Sequence, residues 1–113
     1  MPQEPLLISE APSEVEGQRV LSLTGPIVLT NFFELQDTMR SDTSRQLVLE
    51  LSRVPYIDSA GIGALVGAYV SRQKNGRFLA LVAVTDRVRT TLQITQVEQL
   101  FKFYDSVAEV PAA

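Results

Sequence analysis

Two short apolar runs with an amphipathic segment between them constrain this chain more than any other feature. Leu47-Val48-Leu49-Glu50-Leu51 carries a single charge, the pattern of a strand covered on both faces. Phe78-Leu79-Ala80-Leu81-Val82-Ala83-Val84 is the strongest strand signal in the chain. Between them, Ile62, Leu65, Val66, Tyr69 and Val70 recur at i, i+3, i+4, i+7 and i+8, the spacing of one apolar helix face. Strand, helix and strand in that order imply parallel neighbours joined by a right-handed crossover, and therefore an α/β domain.

The flanking segments extend the unit. Leu6-Leu7-Ile8 and Arg19 to Thr24 read as two antiparallel strands joined by a polar loop with Pro12 and Gly17. Gly25-Pro26 signals a turn, and Ile27-Val28-Leu29 leads to a helix that Thr30 or Asn31 can cap. Glu34 stands three residues after Asn31, as a capping box prefers. Phe32, Leu35 and Met39 form the apolar face of this helix, which ends near Ser41-Asp42. Val54-Pro55-Tyr56-Ile57 is a bent connection, because Pro55 has no N–H to donate to a ladder.

The middle helix runs from about Asp58 to Lys74 and stops at Asn75-Gly76. Thr85 caps a third helix built on Val88 and Leu92. Phe101 to Tyr104 gives a last short strand, and Asp105 can cap a final turn through Val107 and Val110 before Pro111. The expected fold is one α/β domain over residues 1–113 with a mixed four- to five-stranded sheet. Its order is β-β-α-β-α-β-α-β, with a short or absent final helix. Residues 1–5 and 111–113 are expected to be flexible ends.

Composition excludes several functions. The 113 residues carry 10 Lys and Arg against 13 Asp and Glu, a net charge of -3, with no basic stripe. That argues against a nucleic-acid surface, which needs clustered cations. There is no histidine and no cysteine. Ser-His and Cys-His nucleophiles, thiolate metal sites and His-ligated metals are therefore excluded. No Gly-x-x-x-x-Gly-Lys loop is present. The expectation is no enzyme: no catalytic residue, no cofactor and no metal. The N-terminus has no basic segment followed by an apolar one, so no signal peptide is visible. The longest small and apolar run, Ala60 to Val70, is about half of the roughly 20 residues that a membrane span needs. A soluble, cytoplasmic domain without membrane insertion is expected.

The middle helix is the unusual element. Opposite its apolar stripe lie Ala60, Ala64, Gly67, Ala68 and Ser71, with Gly63 at the edge and no charge before Arg72 and Lys74. Gly61, Gly63 and Gly67 each cost roughly 1 kcal/mol relative to Ala in a helix interior. Two explanations stand side by side. The small face is covered by the rest of the domain, or it is a smooth docking surface for another protein. The residues that open the helix, Asp58 and Ser59, are also open to two readings. Both are good N-cap types. Ser59 is equally a hydroxyl at an accessible helix start, where a phosphate would sit near free N–H groups in the positive end of the macrodipole. A partner docked on the small face would be repelled by that charge.

Asp58-Ser59-Ala60-Gly61-Ile62-Gly63-Ala64-Leu65, preceded by the strand at Leu47, closely resembles the signature of STAS domains of the bacterial anti-sigma factor antagonist type. Gly25-Pro26-Ile27 is similar to that family's turn after the second strand. Leu79 to Val84, followed by Val97, Leu100, Phe101 and Tyr104, resembles its C-terminal half. The resemblance implies partner switching in transcription regulation. The unphosphorylated antagonist binds an ATP-bound anti-sigma serine kinase and frees a sigma factor. Phosphorylation of the serine matching Ser59 ends binding, and a phosphatase restores it. Asp58, Ser59, Ala60, Gly61, Gly63, Ala64 and Gly67 would form the contact surface. ATP and magnesium would belong to the partner. The alternative is a non-switching STAS scaffold or accessory subunit, in a stress-signalling complex or beside a lipid-transport ATPase. The family's longer final helix is expected to be short or absent here, leaving one sheet edge less covered, and a monomer or weak dimer is expected.

Overall fold

The computed structural model describes residues 4–113. Five strands, β1 (Leu7–Ala11), β2 (Gln18–Thr24), β3 (Gln46–Arg53), β4 (Phe78–Val82) and β5 (Lys102–Tyr104), form one sheet in sequence order. Helices α1 (Phe32–Ser41), α2 (Ser59–Lys74) and α3 (Asp86–Ile94) make the three crossovers. β1 pairs antiparallel with β2, and every later pair is parallel. The element order is the one expected from the sequence.

The period-two alternation of the strands builds two unequal layers. Leu21, Leu23, Leu47, Leu49, Leu51 and Leu81 face the helices, where Leu35, Met39, Leu65, Val88 and Leu92 meet them. On the reverse face, Val20, Val48 and Ala80 stand in register across three strands. Val110 covers them there. No final helix forms. A 3-10 turn at Val107–Glu109 carries Val110 onto the reverse face, and Gln46 Nε2 donates to the Pro111 carbonyl at 2.9 Å. So Pro111, expected to be free, is tied to the start of β3. At the other end, residues 1–3 lie outside the described residues, and the Glu4 carbonyl accepts a 3.0 Å hydrogen bond from Asn31 Nδ2.

Several local expectations are corrected. β4 stops at Val82, because Ala83 enters the left-handed region at φ 54° and donates its N–H to the Tyr104 carbonyl at 2.9 Å. The capping box on α1 does not form. Asn31 Oδ1 instead accepts from the Val28 N–H at 3.0 Å, and its amide donates to Pro26 at 2.9 Å, so the side chain ties the loop rather than the helix. Asp105 does not cap the last turn; its N–H donates to the Glu109 carboxylate at 3.1 Å.

The largest correction concerns Arg72, expected on the outer face of α2 and only 3% exposed. Its guanidinium donates to Asp42 Oδ2 at 2.8 Å and, through Nε, to the Phe78 carbonyl at 2.9 Å. Arg19 reaches the other Asp42 oxygen at 3.2 Å. Burial pushes the Asp42 carboxyl up, but hydrogen bonds from Ser44, Arg19 and Arg72 outweigh it and hold it below the ordinary carboxylate range. Burial lowers the Arg72 pKa and the Asp42 contacts oppose that; the guanidinium stays charged.

Candidate functional site

The site is assembled by a pairing that outlasts the strands. Beyond β2 and β3, Gly25 N–H donates to Arg53 at 3.0 Å, Ile27 N–H to Tyr56 at 3.2 Å, and Asp58 N–H to Ile27 at 3.2 Å. Gly25 is required here: its φ is 110°, and a Cβ would lie 2.3 Å from the Pro5 carbonyl oxygen. This zipper delivers Asp58 in extended conformation to the start of α2.

One Asp58 carboxylate then holds two elements. Oδ1 accepts from the Ala60 and Gly61 N–H groups at 2.9 and 3.1 Å, which caps α2. Oδ2 accepts from the Leu29 N–H at 3.0 Å, which fixes the loop between β2 and α1. The choice between the two N-cap candidates is thereby made. Asp58 is the cap, and Ser59 is exposed, with no hydrogen bond from its hydroxyl to a described residue. One expectation is also corrected. The first-turn N–H groups of Ala60 and Gly61 are not free, because Asp58 occupies them. A phosphate on Ser59 would face a neighbouring carboxylate and project outward.

The small face of α2 divides. Gly61 and Ala64, grouped with the partner-binding residues from sequence, are buried. A Cβ on Gly61 would come within 2.4 Å of the Ile27 carbonyl oxygen, so this glycine serves the close approach of α2 to the zippered loop. Ala64 is 3% exposed and packs in the main core. Asp58 and Ala60 are half-buried. Ser59, Gly63 and Gly67 are exposed, on one line at i, i+4 and i+8. Nothing lies within 4 Å of a Cβ built on Gly63 or Gly67. Val70, assigned to the core stripe, is 48% exposed.

Two exposed apolar side chains at this end were missed. Leu29 is 63% exposed beside Asp58, and Phe33 is 61% exposed and rests on Phe32, with ring centroids 4.3 Å apart. The signal was available for both, since neither falls on the Phe32, Leu35, Met39 stripe of α1. The Arg87 guanidinium also lies over the Tyr56 ring at 4.7 Å, and the Tyr56 hydroxyl donates to the Glu4 carboxylate at 3.2 Å. Among the described residues, no group of three His, Cys, Asp or Glu side chains could hold a metal ion, and no helix is long and apolar enough to cross a membrane.

This head-of-helix architecture, on a sheet opened by an antiparallel hairpin and continued by parallel crossovers, has known counterparts. A profile of the STAS domain matches residues 11–110, nearly the whole chain. The chain belongs to the STAS domain family. It is 38% identical over 64 residues to the TM1081 homolog of Thermotoga neapolitana, covering 57% of each chain. It is 33% identical over 67 residues to the anti-sigma-B factor antagonist of Staphylococcus aureus, covering 59% of this chain and 62% of that one. The matched segments therefore span less than two thirds of these relatives' length. The crystal structure of an anti-sigma factor antagonist from Mycobacterium paratuberculosis superposes with a TM-score of 0.78 at 22% identity, covering 92% of this chain and 89% of that one.

Proposed function

We propose that this protein is an anti-sigma factor antagonist. Unphosphorylated, it docks an ATP-bound anti-sigma serine kinase on the head and outer side of α2 and so frees a sigma factor. The kinase phosphorylates Ser59, the complex dissociates, and a phosphatase resets the protein. The chain itself carries out no catalysis in this scheme.

The observation that carries the reading is the division of labour between Asp58 and Ser59. The cap is made by Asp58, and the Ser59 hydroxyl has no hydrogen bond to a described residue that modification would remove. A phosphate adds roughly -2 of charge at neutral pH, here directly beside the Asp58 carboxylate and at the head of the exposed Gly63–Gly67 line. Binding is lost by repulsion and bulk at the contact, while the fold stays intact. The relatives' names and the resemblance of Asp58 to Leu65 to the family signature support the same assignment.

Incubation with the cognate kinase and ATP is expected to add one phosphate, absent in Ser59→Ala. Ser59→Asp is expected to weaken kinase binding while changing stability by no more than about 0.5 kcal/mol. Unfolding of Ser59→Asp would make the residue structural and end the switch reading. Equal partner binding by the natural chain, Ser59→Ala and Ser59→Asp would identify a non-switching scaffold instead.

A further inference from the structure

Ser59 lies at one end of α2, and a different surface lies at the other. Phe78, the first residue of β4, is 54% exposed. A cavity of about 270 Å³ opens on its helix side, with Tyr69, Leu79 and Leu100 in the wall. A second, of about 330 Å³, opens on the reverse side, with Ala80, Tyr104 and Pro111 in the wall. Phe78 and Lys102 line both. Pairing with β5 begins only at Ala80, so among the described residues Leu79 has no ladder partner on that edge, while the Phe78 N–H and carbonyl are already taken by the Arg45 carbonyl and Arg72 Nε.

The charge around this edge runs against the chain's balance. Arg77 and Lys102 line the cavities. Arg45 adjoins them: its carbonyl accepts from the Phe78 N–H at 2.8 Å, and its guanidinium reaches the Ala113 carbonyl at 3.4 Å. Neither Arg77 nor Lys102 forms an ion pair with a described residue. No carboxylate side chain lines either cavity, although the chain has 13 Asp and Glu against 10 Lys and Arg.

We propose that this edge is a second protein-docking surface, which takes an extended, acidic, apolar peptide segment of a partner. An extended segment sends successive side chains to opposite faces. Laid across the Phe78 ring, it would place apolar side chains alternately in the two cavities, one on each face of the sheet. Its carboxylates would meet Arg45, Arg77 and Lys102. Side-chain-sized hollows divided by an aromatic suit a peptide better than a lipid surface, and the chain's net charge of -3 opposes an anionic membrane.

The test is a titration of the isotope-labelled full chain with an acetylated peptide of alternating Asp or Glu and Leu or Phe, followed by amide resonances. Saturable shifts are expected at Phe78, Leu79 and Lys102, weakening as salt rises. The Arg77→Glu, Lys102→Glu double variant and a peptide with Lys in place of its acids are each expected to bind about tenfold more weakly or not at all. Phe78→Ala, at an exposed position, provides a second variant if the charge reversal impairs folding. Ser59→Asp is expected to leave this titration within about twofold, because the two surfaces are far apart. No shifts, or equal binding of the lysine peptide, would overturn the proposal. So would shifts at Phe78 produced only by phosphatidylserine vesicles, or shifts that follow protein concentration without peptide and identify an interface between copies.

Discussion

The inner and outer sides of α2 use glycine for opposite reasons. On the inner side, Gly61 lets the helix backbone touch the loop after β2, and a Cβ there would collide with the Ile27 carbonyl. On the outer side, Gly63 and Gly67 meet nothing within 4 Å. The fold needs the first glycine and gains nothing from the other two, which lower helix propensity by roughly 1 kcal/mol each. The difference teaches that one compositional feature, a small-residue helix, contains both a packing solution and an exposed surface that the packing does not require. The inner side also ends on a buried charge, Arg72 on Asp42, whereas the outer side opens on the exposed Ser59 hydroxyl.

Substitutions can break or sharpen this contrast. The largest effect is expected from Arg72→Met, which leaves Asp42 buried with only Arg19 as a charged partner. A loss of about 3 kcal/mol or more in denaturant unfolding is expected, and a loss below about 1 kcal/mol would mean that the inner side is not the constrained one. Asp42 also makes stability depend on pH. Its folded pKa is depressed, so its contribution is complete above about pH 5 and is lost as acid takes the pH down through the folded value. Asp42→Asn is expected to be less stable at neutral pH and to lose that part of the acid dependence in thermal melts.

Gly61→Ala comes next. The backbone oxygen it meets cannot swing away as a side chain would, and a destabilisation of about 1–3 kcal/mol is expected. Gly63→Ala and Gly67→Ala are expected to do the reverse and stabilise by up to about 1 kcal/mol each in the same assay. Under the proposed function, both are also expected to weaken binding of the anti-sigma kinase. If either destabilises the isolated domain, the outer glycines serve the fold and the contrast fails.

Much of this fold was legible without coordinates. Leu47 to Leu51 and Phe78 to Val82 have strand patterns because their apolar residues are dense, and Thr85 with Val88 and Leu92 marked the third helix. The face of α2 was less legible. Gly61 and Ala64 bring so little apolar surface that burying them leaves no periodic signal, while Val70 suggested burial that its neighbours do not provide. At the site, Asp58 and Ser59 were both legible as cap candidates, and the structure gives the cap to Asp58, whose second oxygen also holds Leu29, 29 positions away in sequence.

The sequence by itself determined the order of elements, the parallel crossovers and the place of Asp58-Ser59 at the head of α2, because hydrophobic period and capping chemistry are local. Only the tertiary structure decided which side of α2 faces the protein, that Asp58 and not Ser59 takes the cap, and that Arg72 is buried. Each of those depends on an atom supplied from elsewhere in the chain: the Ile27 carbonyl, the Leu29 N–H and the Asp42 carboxylate.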